Sequence, residues 1–162
     1  MIVGDVDPPA TLESVKSLFG SMPSRPTPAR KPVTLKPFKA QAIERATPDA
    51  TGTVQFLYRM PGMISNDDAA AQVLVDVLNN PRSALSELAA QGTVLSADAQ
   101  IQPVSDGGIA SVEVGFAKGG DARQARAHLD RTLVALLKDG VSTDLVEAAK
   151  RSELAQFEFN KN

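Results

Sequence analysis

The chain has 162 residues, 43% of them apolar, and its 17 Lys and Arg against 19 Asp and Glu leave a formal net charge of −2. That length holds one ordinary domain or pieces of two, and charges of both signs mixed along it offer no basic field to nucleic acid. The absence of cysteine excludes disulfides, thiolate metal sites and a cysteine nucleophile and suits a bacterial cytoplasm or periplasm alike, while no apolar run approaches the roughly 20 residues of a membrane span.

In chain order, Ile2 and Val3 read as a short strand leading into Gly4-Asp5-Val6-Asp7-Pro8. Asp7 is a good N-cap and Pro8 suits the first helical position. Leu12, Val15, Leu18 and Phe19 then recur at helical spacing, and Gly20 is placed to end the helix in a left-handed cap. A strand that starts so abruptly needs partners from elsewhere, so the sequence is expected to be an excerpt of a longer protein. Residues 1–22 are therefore read as the terminal strand and helix of a preceding domain.

Residues 23–38 carry Pro23, Pro26, Pro28, Pro32 and Pro37 among Ser, Thr, Arg and Lys, the composition of a stiff linker. A second domain, 39–162, follows and is expected to be cut short at its C-terminal end. In TVQFLYR (53–59) a period of two places Val54, Phe56 and Tyr58 on one face of a half-buried strand. Pro61-Gly62 breaks it. Ser65 to Asp68 supplies capping groups for a helix running to Asn79, whose apolar stripe is Ala69, Val73, Leu74, Val77 and Leu78. A shorter helical piece after Pro81 carries Leu85 and Leu88 and ends at Gly92.

Two alternating stretches come next, with Leu95, Ala97, Ala99 and Ile101 in one and Val112, Val114 and Phe116 in the other. The text SDGG between them predicts a β-hairpin. Asp121 caps a long helix with the stripe Ala122, Ala125, Leu129, Leu133 and Leu136, closed by Gly140. Ser142, Thr143 and Asp144 open a last helix, in which Glu147 and Arg151 stand as an i,i+4 pair and Phe157 and Phe159 have nothing after them to pack on. The expected class is α+β, a mixed or antiparallel sheet with helices on one face. Exposed sheet edges and apolar helix faces lead us to expect self-association.

No complete catalytic constellation emerges from the residues. His128 is the only histidine, and Gln124 and Arg131 flank it on its helix, so a solvated surface position is expected. Asp5 and Asp7 could pair as carboxylates, yet capping accounts for Asp7, and Asn66, Asp67 and Asp68 read equally as helix caps. Gly107-Gly108 and Gly119-Gly120 lack the Gly-rich pattern and the lysine of a phosphate loop, and although Gly119-Gly120 precedes a helix, Asp121 at its mouth would repel an anion. Arg25, Arg30 and Lys31 are read as solubilising charges. No catalytic, cofactor-binding or metal-binding residue is therefore assigned.

IVGDVDPPATLESVKSLFGSMPSRPTP resembles the segment that closes the first domain of the insulinase/pitrilysin-like zinc metallopeptidases, the family that includes mitochondrial processing peptidase. TVQFLYRMPGMISNDDAAAQVLVDVLNN, RSALSELAAQGTVLSADAQ and KDGVSTDLVEAAK resemble later segments of that family in the same order. The resemblance implies two related domains facing each other across a chamber that encloses unfolded peptide, with zinc in the first domain on H-x-x-E-H and a later glutamate. That motif is not present in this sequence, so zinc is expected on the remainder of the parent chain or on a zinc-bearing partner subunit. Where many members have a substrate-contacting Arg and Tyr, the matching positions here are Ala89 and Leu95. Two roles follow from the resemblance: a non-catalytic chamber domain of a zinc peptidase, or an inactive relative that binds peptide or assists assembly.

Overall fold

The computed structural model describes residues 2–29, 31, 35–60 and 62–161, and the expectations for Arg30, Pro32 and Pro61 lie outside the described residues. The chain divides into two compact units, residues 1–38 and 39–162.

The first unit contains α1 (Pro8–Phe19). Asp7 caps it as its composition predicts, Oδ1 accepting from Ala10 N at 2.8 Å. Two expectations fail here. Ile2 and Val3 form no strand, and they stand 58% and 80% exposed, since a strand persists only where a neighbour satisfies its backbone. Gly20 closes the helix at φ −64, in the right-handed region, its N–H donating to Lys16 O. A Cβ there would sit 2.4 Å from that same oxygen, so close approach, and no left-handed turn, is what requires glycine. No residue of α1 is buried, and Leu18 and Phe19 lie open.

The second unit is built on a three-stranded antiparallel sheet of β1 (Thr51–Met60), β2 (Ser96–Val104) and β3 (Gly107–Ala117), in the order β1-β3-β2. The hairpin closes between Val104 and Gly107, so its loop is Ser105-Asp106 and the two glycines of SDGG belong to β3. Leu95 precedes β2 and is exposed, while Ala97 and Ala99 face the core. Across the β1–β3 pair Gly52 stands opposite Phe116, and a Cβ on Gly52 would come within 2.2 Å of that ring. The ring covers the glycine and fills the space a side chain would have taken.

The remaining helices are α2 (Asp68–Asn79), α3 (Ala84–Ala90), α4 (Ala122–Asp139) and α5 (Thr143–Asn160). The first three cover one face of the sheet, and the main core joins Leu78, Leu85, Ala125 and Leu129 to Ala99, Val112 and Val114. Burying these side chains is the chief stabilising term, roughly 1.5–3 kcal/mol for each full-sized one. A second cluster of Val77, Leu145 and Ala149 fastens α5 to α2.

The stripes are narrower than periodicity alone implies. In α2 the buried residues are Ala71, Val77 and Leu78, with Ala69 and Leu74 exposed. In α4 they are Ala125 and Leu129, and Ala122 is exposed. A helix crossing a small sheet touches it over few turns, so the ends of its stripe stay in water. Gly140 closes α4 as expected, at φ +76, a backbone conformation that favours glycine. Ser83 caps α3, its Oγ accepting from Ser86 N and donating to Leu78 O at 2.6 Å, which ties α3 to the end of α2.

Candidate functional site

Because strand side chains alternate, the helices that cover one sheet face leave the other open. The register orders that open face in rows: Thr53, Gly115 and Ser96; Gln55, Glu113 and Asp98; Leu57, Ser111 and Gln100; Arg59, Ile109 and Gln102. Gln55 Nε2 donates to Glu113 Oε2 at 2.8 Å, and Gln100 Nε2 donates to Asp98 Oδ2 at 3.1 Å. Leu57, Ile109 and Val104 run diagonally across the surface, each at least half exposed. The face thus combines amide and carboxylate groups with a short apolar diagonal. It can hold a polypeptide by hydrogen bonds and contact, and it contains neither a nucleophile beside a base nor an oxyanion cradle.

The residues singled out in the sequence are not brought together. His128 is half-buried on α4, with Arg131 Nη2 3.0 Å from its Nδ1. A histidine with a guanidinium at its side does not fit a zinc ion, and among the described residues no three His, Asp or Glu side chains gather as a metal site. Asp7 is occupied in capping α1. Asp67 stands at the N-cap position of α2 without a side-chain cap bond, because its backbone is right-handed helical and not extended. Ser65 Oγ instead accepts from Asp67 N at 3.2 Å, and Asp68 Oδ1 is buried without a hydrogen-bond partner among the described residues. Ala89 packs against the core, and Gly119 turns at φ +80 ahead of α4.

Some pairings could not be read from spacing. Glu147 bonds Lys150 at 2.8 Å where Arg151 had been expected, the three-residue step bringing the shorter reach. That ammonium holds the Glu147 carboxyl below the usual range. Asp144 is likewise held low, first by the Ser142 hydroxyl and then by Arg82, whose Nη1 lies 2.7 Å from Oδ2. Between α2 and α5, partial burial first and then the neighbouring Asp76 carboxyl push Glu153 up. Tyr58, expected to be half-buried, is 46% exposed, yet burial against its neighbours and the charge of Asp130 raise its phenol above the ordinary value. Val73, Leu74, Val77, Val141 and Val146 line an apolar depression of about 490 Å³ between the same two helices.

The family model of the Peptidase M16 inactive domain matches residues 1–153. The chain belongs to that family. As an M16 inactive domain it is the non-catalytic part of a peptidase architecture. Its fold is similar to a chain described as a protease from Helicobacter pylori, with a TM-score of 0.67 and 21% identity over 98% of this chain. The M16 chain described here spans 40% of that protease chain. No curated protein matches the sequence.

Proposed function

We propose that this M16 inactive domain forms one wall of a chamber that encloses unfolded peptide in a larger zinc metallopeptidase. The metal and its H-x-x-E-H motif would be carried by the remainder of the parent chain or by a partner subunit. Residues 1–22 would close the preceding domain, residues 23–38 would link, and residues 39–162 would form the wall. The observation that carries this reading is the open sheet face. It is ordered by the strand register and offers side-chain amide and carboxylate groups beside the apolar Leu57, Ile109 and Val104 to an extended chain.

The test compares peptide cleavage by the isolated chain with cleavage by the chain joined to the coding sequence that surrounds it. The isolated chain is expected to cleave nothing and the longer protein to show chelator-sensitive proteolysis. Chelator-sensitive cleavage by the purified 162-residue chain would overturn the proposal.

A second reading, an inactive relative that binds peptide or assists assembly, draws support from Ala89 and Leu95. Neither side chain can supply the hydrogen bonds of the Arg and Tyr that the resemblance places there. A longer protein that binds unfolded peptide without cleaving it, zinc supplied, would favour that reading.

A further inference from the structure

We draw no further inference here: the strongest candidate, the apolar depression of about 490 Å³ between α2 and α5 lined by Val73, Leu74, Val77, Val141 and Val146, carries none because nothing in the structure shows what covers it.

Discussion

Asn79, the last residue of α2, grips the backbone of Ala99 in β2 from both sides: Nδ2 donates to the Ala99 carbonyl and Oδ1 accepts from its N–H, each at 2.8 Å. A side-chain amide has the same donor and acceptor as a peptide unit, so this one residue stands in for a fourth strand. It also fixes the helix end against the sheet.

Asn79→Ala leaves both Ala99 groups without their partner. Unfolding in urea is expected to show a loss of about 1–3 kcal/mol. Asn79→Asp keeps the acceptor but sets a carboxylate against the Ala99 carbonyl, and it should recover little of the loss. Stability equal to wild type in both variants would show that water replaces the amide without cost.

Leu129 is fully buried in α4 beneath the sheet, whereas Leu137 on the same helix is 83% exposed. Leu129→Ala should cost about 2–5 kcal/mol and Leu137→Ala less than about 0.5 kcal/mol. Denaturant midpoints compare the two directly. Similar losses at both sites would mean that α4 docks on a different face.

Ser83 is 3% exposed and uses its hydroxyl twice, as cap of α3 and as donor to Leu78 O. Ser83→Ala removes both roles and is expected to destabilise by about 2 kcal/mol. Ser83→Thr retains the hydroxyl and should recover part of that, unless its added methyl group finds no space. A melting temperature unchanged by the alanine would refute the double role.

The Asp76–Glu153 contact predicts a pH dependence with a definite sign. Glu153 has a folded-state pKa raised above its unfolded value, so protonation favours the fold. Its stabilising share is present at acid pH below the unfolded value and is lost as pH rises through the folded value. Glu153→Gln should therefore raise stability near pH 7, by less than about 1 kcal/mol at this solvent-screened site, and should give no gain near pH 4. A gain that grew toward acid would reverse the assignment.

Much of the fold was legible in local residues. Asp7 and Asp121 cap the helices they were expected to cap, and the alternation of Val112, Val114 and Phe116 identified the inward face of β3. Where the reading failed, the cause lay beyond the reach of neighbours along the chain. Ile2 and Val3 have strand composition but pair with no strand among the described residues, and Asp67 has a capping side chain on a backbone that turns the wrong way. The edge lock by Asn79 and the carboxyl pair of Asp76 and Glu153 join residues far apart in sequence, and no motif announces them.

The order of helices and the hairpin were determined by the amino-acid sequence, because capping, periodicity and turn chemistry act locally. The tertiary structure decided which sheet edge is closed, which row of side chains forms the open face, and how much of each apolar stripe is covered. These depend on strand register and helix docking. They arise only when distant residues such as Asn79 and Ala99 meet.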